Sequence, residues 1–424
     1  MLLIIACLTL LALLILGLPI YVAVLSTICV YFIGAEGLSP MIAVQRLVAS
    51  NENNALLAVP FFILLGAILN RAGVTDRVMD LAALMTRRLR GGTAQTNILL
   101  STLLGGISAS SLADCAMMTK IMVPTMVDRK YPRSFSTVVT AIGSLITPII
   151  PPGLGLILYG FTAEISIRRM FMAGILPGVF MCLTFMATVA FLSRRHGYEP
   201  PRKDPTPPGT WPRTLKRSLP SLTLIVLIIG GVRSGIFTPT EAGAIAVAYA
   251  LIVGFVIHRD LKICHLGPAM KETLVSTASI MLVIMSCSVL AWIFSWEGLS
   301  QKIMVFLTGL TQSRYVFLLA INLFLMFLGC FMEGNSIIIV LTPLLKPTIL
   351  ALGIDPVHFG IILIVNVAIG ALTPPVGTIM LLSSNISGIK VSEFFKAGKL
   401  FFIVILIDLL IVTYCPIMSL ALAK

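Results

Sequence analysis

The chain has 424 residues, 58% hydrophobic and 11% charged, with 30 Lys+Arg against 17 Asp+Glu and a formal charge of +13. A soluble domain carries about a quarter charged residues, so these proportions exclude an ordinary soluble enzyme and describe an all-α polytopic membrane protein. The positive excess then belongs to loops held on the cytoplasmic side, and the lipid bilayer rather than nucleic acid is the expected partner.

The opening run "MLLIIACLTLLALLILGLP" lacks a basic n-region and a small-residue cleavage site, and stays apolar to about Phe32. It reads as a retained first span, bent near Gly17 and Pro19. Further apolar segments fall at 55–72, 96–127, 136–160, 171–192, 219–236, 241–257, 274–294, 316–352, 357–383 and 400–423. Basic flanks occupy 74–93, 128–134, 194–217, 258–272 and 388–399. If all five lie in the cytoplasm, 96–127 begins and ends on one side, which an ordinary single span cannot do. A re-entrant hairpin resolves this, with "GGISASSLADC" (105–115) at its tip. Segment 316–352 meets the same difficulty from the opposite side. Arg168-Arg169 dissents, falling on a predicted outer loop. The one clear linker is 194–217, with seven Lys/Arg and six Pro, and it is expected to be cytoplasmic and tolerant of change.

The halves repeat an order of features. Asp114 precedes Pro124 by ten residues, as Glu333 precedes Pro343; "YPRSF" and "DPVHF" precede Pro151-Pro152 and Pro374-Pro375 by similar intervals. Proline removes an amide and clashes with the preceding turn, so 136–160 and 357–383 read as broken helices. The expected organisation is scaffold entry helices over 1–72, a first repeat over 73–193 and the linker over 194–217. Scaffold helices over 218–295 and a second repeat with the last helix over 296–424 complete it. Inverted repeats with broken helices place their sites at the midplane between the repeats.

Three clusters carry chemistry. "SASSLAD" offers Ser108, Ser110, Ser111 and Asp114, whose hydroxyls can donate to a carboxylate or offer oxygen to sodium. "NVAIGALTPPVGT" offers Asn366, Gly370, Thr373 and Thr378, with Gly143, Thr147 and Pro151 as first-half counterparts; unwound carbonyls and hydroxyls suit a hard cation. "FMEGNS" supplies Glu333, Gly334, Asn335 and Ser336, with Glu333 equally a helix-capping acid or a ligand. Asp408 lies in the last span without an assigned chemistry. There is no GxxxxGK[ST] loop, no GxSxG elbow, and neither CxxC nor HExxH spacing, so no cofactor, nucleotide or transition-metal site is expected.

At "ISASSLADC", "TPIIPPG", "FMAGILPG", "GGVRSGIFTPTEAGAIAVAYAL" and "ALGIDPVHFGIILIVNVAIGALTPPVG" the chain resembles the large membrane subunit of tripartite ATP-independent periplasmic (TRAP) transporters, and the resemblance covers essentially all of it. It implies a sodium-coupled importer of a small organic acid in a bacterial inner membrane, of an elevator type similar to the ion transporter superfamily. The implied partners are a small membrane subunit of about four helices and a soluble periplasmic substrate-binding protein. Ser108, Ser110 and Asp114 match the family's first-hairpin motif, and Ser111 falls in the same stretch. Thr147, Pro151, Asn366, Gly370 and Thr373 match its sodium-binding breaks; Gly143, Ser108, Gly334 and Asn335 complete the expected sodium set. Ala109 and Glu333 depart from the common Gly and Asp. Two alternatives share the residues: a stand-alone sodium or proton symporter for dicarboxylates, and an intramembrane aspartyl enzyme using Asp114 and Glu333.

Overall fold

The computed structural model describes residues 2–35, 37–108, 110–202, 204, 207 and 209–423, with the side chains of 15, 106–108 and 310 outside that description. Every regular element among the described residues is helical. Helices α1 (Leu2–Ile15) and α2 (Ile20–Gly34) open the chain. The expected single bent span over 3–33 is instead a pair folded back on itself, with Gly34 against Leu2. Gly17 takes φ +76°, a conformation that only glycine adopts freely, and Pro19 cannot donate into the ladder of α1. Then come α3 (Met41–Ala49) and α4 (Ala58–Leu69), inclined by 55° about a turn that Asn53 caps.

The first half continues through α5 (Val74–Thr86), α6 (Gly92–Ser108), α7 (Ser111–Asp128), α8 (Arg133–Gly143), α9 (Leu154–Thr162) and α10 (Ile167–His196). The second comprises α11 (Thr210–Ser234), α12 (Pro239–Ile252, extended by a wide turn to His258), α13 (Ile263–Trp296) and α14 (Leu299–Leu310). It closes with α15 (Arg314–Gly329), α16 (Gly334–Ala351), α17 (Pro356–Gly370), α18 (Thr378–Ser387), α19 (Val391–Tyr414) and the short α20 (Ile417–Leu420). Thus α6–α7 and α15–α16 are the two hairpins, and α8–α9 and α17–α18 the two broken helices. At the base of the first hairpin Asn97 Nδ2 reaches Met126 Sδ at 3.6 Å, so its arms enter and leave together.

The five basic flanks converge on one face, as the topology argument requires. Arg77 pairs with Asp260 at 2.6 Å, and Ser218 donates to the Arg77 carbonyl. Arg87 reaches the Asp204 carbonyl, Tyr131 donates to Glu199, and Arg133 donates to the Ser387 carbonyl. Arg168 and Arg169 lie at the opposite end for a local reason. Their guanidinium groups donate to the Arg233 and Ala423 carbonyls, and Arg169 also faces Asp355 at 3.7 Å. Cations at such chain and helix ends satisfy carbonyls left without intrahelical partners.

The linker differs from expectation. Helix α10 runs to His196 and α11 begins at Thr210, so both ends of the expected linker 194–217 belong to helices. Nor is it loose: Glu199 Oε2 accepts from Thr93 N at 2.8 Å and from Tyr131 Oη at 3.1 Å, while the Gly91 amide donates to the Glu199 carbonyl. A carboxylate placed this way satisfies the amides that begin α6.

Packing between the halves is reciprocal. Helix α7 lies on α18 while α16 lies on α9; α8 lies on α19 while α17 lies on α10; α4 lies on α12 while α13 lies on α2. This exchange is what an inverted repeat produces. The broken helices occupy the centre, every residue from Phe135 to Gly143 and from Val357 to Gly370 being buried. Apolar residues surround α17 on all sides rather than forming one stripe, as a helix enclosed by others requires. Lipid offers little hydrophobic drive between helices, so close contact of small residues and internal hydrogen bonds hold them.

Candidate functional site

The first break runs from Ser144 to Gly153 and the second from Ala371 to Gly377. Each contains a cis Pro-Pro bond, Pro151-Pro152 and Pro374-Pro375. Each also receives a close approach from its own hairpin. A Cβ at Gly105 on α6 would lie 2.9 Å from Thr147 Cα, and one at Gly329 on α15 would lie 2.9 Å from Gly370 Cα. Thr147 and Gly370 both stand four residues before their proline pairs, so this contact is the same in both repeats.

Around the first break, Asp114 is fully buried and its Oδ2 accepts from Thr147 Oγ1 at 3.2 Å. Asp114 Oδ1 and the hydroxyl of Ser101 are buried without a hydrogen-bond partner among the described residues. Gly143 makes room here, since a Cβ would stand 3.1 Å from Ser101 Oγ. Unsatisfied buried oxygens in hydrocarbon are costly, and a carboxylate, a serine and a threonine together form a ligand set that a hard cation accepts.

Around the second break, Thr373 Oγ1 donates to the Ile369 and Gly370 carbonyls, both at 3.0 Å, and accepts from Cys330 Sγ at 3.4 Å. The Gly377 amide donates to the Cys330 carbonyl at 3.1 Å, with Gly377 in the left-handed region (φ +51°). Asn366 Oδ1 is buried without a partner among the described residues. Among the described residues, no carboxylate is hydrogen-bonded to Thr373 or Asn366.

Between the breaks lies a cavity of about 70 Å³ formed by both hairpin tips. Its polar lining comes from Ser110, Ser111, Glu333, Gly334, Asn335 and Thr378. Helices α7 and α16 both begin here, and helix N-termini present amide groups and partial positive charge to an anion.

The structure therefore regroups the expected residues. Ser110 and Ser111 reach the cavity, whereas Asp114 sits behind them with Thr147 and Gly143. Gly334 and Asn335 join the serines rather than Asn366, Gly370 and Thr373. Pro151 belongs to the first break, and the Ser108 side chain lies outside the described residues. The ten-residue spacing shared by Asp114 and Glu333 does not make them equivalents: Asp114 lies in the first turn of α7, while Glu333 precedes α16. Glu333 makes no side-chain cap; its Oε1 accepts from Asn335 Nδ2 at 3.1 Å at the cavity wall. Asp408 joins α19 to α10, accepting from Thr184 Oγ1 at 2.6 Å. Ser101 escaped the sequence reading, although Asn97, Ser101 and Gly105 form a small or polar stripe at intervals of four on one helix face.

Comparison with known proteins agrees with this architecture. The family model described as "Tripartite ATP-independent periplasmic transporter, DctM component" matches residues 7–418. The chain is similar to the sialic acid TRAP transporter large permease protein SiaM of Vibrio cholerae, 35% identical over 89% of this chain and 88% of that one. It is similar also to the C4-dicarboxylate TRAP transporter large permease protein DctM of Pseudomonas aeruginosa, 34% identical over 89% and 88%. Among solved structures, the YdaH transporter of Alcanivorax borkumensis shares the fold at a TM-score of 0.59 and 14% identity, over 85% of this chain and 86% of that one. Interlocked repeats, paired hairpins and paired breaks, with sequence similarity along nearly the whole length, place this chain in the DctM family of large TRAP transporter permeases: it is a multi-pass transporter subunit and not an enzyme.

Proposed function

We propose that the chain is the sodium-coupled subunit that carries a small organic acid across a bacterial inner membrane. The acid is handed over by a soluble periplasmic binding protein, and a small membrane subunit of about four helices completes the complex. The observation that supports this best is the meeting of two hairpin tips at one polar cavity, with unsatisfied oxygens at the break on either side. In this reading Ser110, Ser111, Gly334 and Asn335, together with the amides that begin α7 and α16, receive the carboxylate. Asp114, Thr147, Ser101 and the carbonyls about Gly143 and Pro151 hold one cation; Asn366, Gly370 and Thr373 hold another. Ser108 belongs to the same tip.

Transport follows an elevator scheme, in which hairpins and broken helices move together against α1–α4 and α11–α13. The relatives' names include sialic acid and C4-dicarboxylate, so the common chemistry taken over here is the carboxylate alone. The test is uptake into liposomes containing the chain with both partners. An inward sodium gradient should drive accumulation, and omission of the binding protein should abolish it. Uptake indifferent to sodium would end the coupling claim, and uptake without the binding protein would favour a stand-alone symporter.

A further inference from the structure

We propose that Asn322 is a positioning residue for cation binding at the second break, holding the Asn366 amide so that its carbonyl oxygen is offered as a ligand. The proposal rests on the sodium reading above and extends it to a residue outside the break. Asn366 lies on α17 one turn before Gly370, where that helix ends. Its Nδ2 donates to the Ile362 carbonyl and to Asn322 Oδ1, both at 2.8 Å. A main-chain carbonyl can only accept, so the nitrogen must face Ile362 and the amide has one permitted orientation. Oδ1 is left buried and without a donor among the described residues. A buried unpaired carbonyl costs about 1–3 kcal/mol, and a cation at that oxygen removes the cost.

Asn322, on α15, is fixed in its turn. Its Nδ2 donates to Thr413 Oγ1 at 2.9 Å, which leaves Oδ1 for Asn366. Beyond it, the Thr413 carbonyl accepts from His358 Nε2 at 3.1 Å, and His358 Nδ1 lies 2.6 Å from Ser419 Oγ. These five side chains are at most 4% exposed and come from α15, α17, α19 and α20. Polar side chains inside a membrane protein are rare and functional by default. Here two runs of hydrogen bonds meet at Thr413, one on its carbonyl and one on its hydroxyl, and the second stops at Asn366 Oδ1.

The first repeat shows that this relay is not inherited from the fold. Asn366 stands eight residues before Pro374, and the residue eight before Pro151 is Gly143. At that break Asp114 supplies a carboxylate directly, held by Thr147. A neutral amide is a weaker ligand, so its direction has to be set by a second residue. Groups behind a metal's ligands change metal affinity by about 10–100-fold when altered.

The experiment uses the complete complex in liposomes. Asn322→Leu should raise the sodium concentration for half-maximal uptake by about tenfold, while half-saturation by substrate at saturating sodium stays unchanged. Thr413→Val removes only the outer anchor and should produce a smaller shift in the same direction. An Asn322→Leu complex with the unaltered sodium requirement overturns the proposal and leaves the coupling reading intact. Sodium indifference in the unsubstituted complex overturns both. Should Asn322→Leu not fold, Thr413→Val decides through the rise in unfolding temperature that sodium gives over choline. A reduced rise supports positioning. A full rise on a uniformly lowered baseline is the mark of a purely structural bond and overturns it.

Discussion

Gly370 is where a single methyl group should do most harm. Built on the backbone, its Cβ would lie 2.5 Å from Gly329 Cα, 2.7 Å from the Gly329 carbonyl carbon and 3.0 Å from the Met326 oxygen. Carbon atoms rest about 3.5–4.0 Å apart, so α15 and α17 would have to separate by roughly 1 Å. All three neighbours are backbone, so no rotamer change relieves the clash, and such overpacking costs about 1–3 kcal/mol. The displacement passes straight to the break, because Cys330, next to Gly329, holds both the Gly377 amide and Thr373 Oγ1. Moving those oxygens by that distance should raise the sodium requirement for uptake by about tenfold, equivalent to 1.4 kcal/mol. The control is Gly230→Ala on α11, where a Cβ meets nothing within 4 Å. That change should be silent or stabilise by up to about 1 kcal/mol through helix propensity. Sodium titration of uptake by both variants is the assay. A Gly370→Ala complex with normal sodium dependence would refute the assignment of cation binding to this break.

Other changes separate the groups of residues. Asp114→Asn keeps an acceptor for Thr147 but removes the charge, and should abolish sodium stimulation in a folded chain; preserved stimulation would remove Asp114 from the cation site. Ser110→Ala or Asn335→Ala should raise half-saturation by the organic acid several-fold, about 1 kcal/mol for one hydrogen bond, with sodium dependence intact. The reverse pattern would move these residues out of the substrate cavity. Glu199→Gln weakens the bonds to Thr93 N and Tyr131 and should lower stability by about 0.5–2 kcal/mol, the range of a helix N-cap. Thermal unfolding at unchanged temperature would show the linker to be as tolerant as its composition suggests.

Architecture was readable from sequence because membrane physics leaves few choices. Basic flanks select a side, and a long apolar segment with both flanks on that side must return to it. Arg168-Arg169 lie where the topology put them and charge statistics would not, because those statistics do not register carbonyls, such as those of Arg233 and Ala423, that can satisfy a guanidinium elsewhere. Composition also made 194–217 read as a linker tolerant of change. Hydrogen bonding of Glu199 to Thr93 and Tyr131 is a long-range event with no local signature. The breaks announced themselves through Pro151-Pro152 and Pro374-Pro375. The grouping of ligands around them did not, since it depends on which oxygen remains unpaired after packing. Asp114 and Glu333 match in spacing from a proline, yet Asp114 stands three residues inside α7, which begins at Ser111, while Glu333 stands one residue before α16, which begins at Gly334, so one acid is enclosed and the other faces the cavity.

That inequality bears on how the proposed coupling would work. A carboxylate enclosed in a low-dielectric region costs several kcal/mol unless a counter-charge accompanies it. On the sodium reading, Asp114 without its cation therefore resists movement through the bilayer, and with its cation becomes nearly neutral. The second break holds only neutral oxygens from Asn366, Gly370 and Thr373, so a cation there brings uncompensated positive charge. An anionic substrate in the intervening cavity offsets it, and the helix N-termini of α7 and α16 add to the attraction. On this proposed reading, occupation of the first site removes a barrier to movement, and occupation of the second creates the field that receives the acid. The two repeats share a backbone plan, and under the proposed coupling their different side chains divide the work between them.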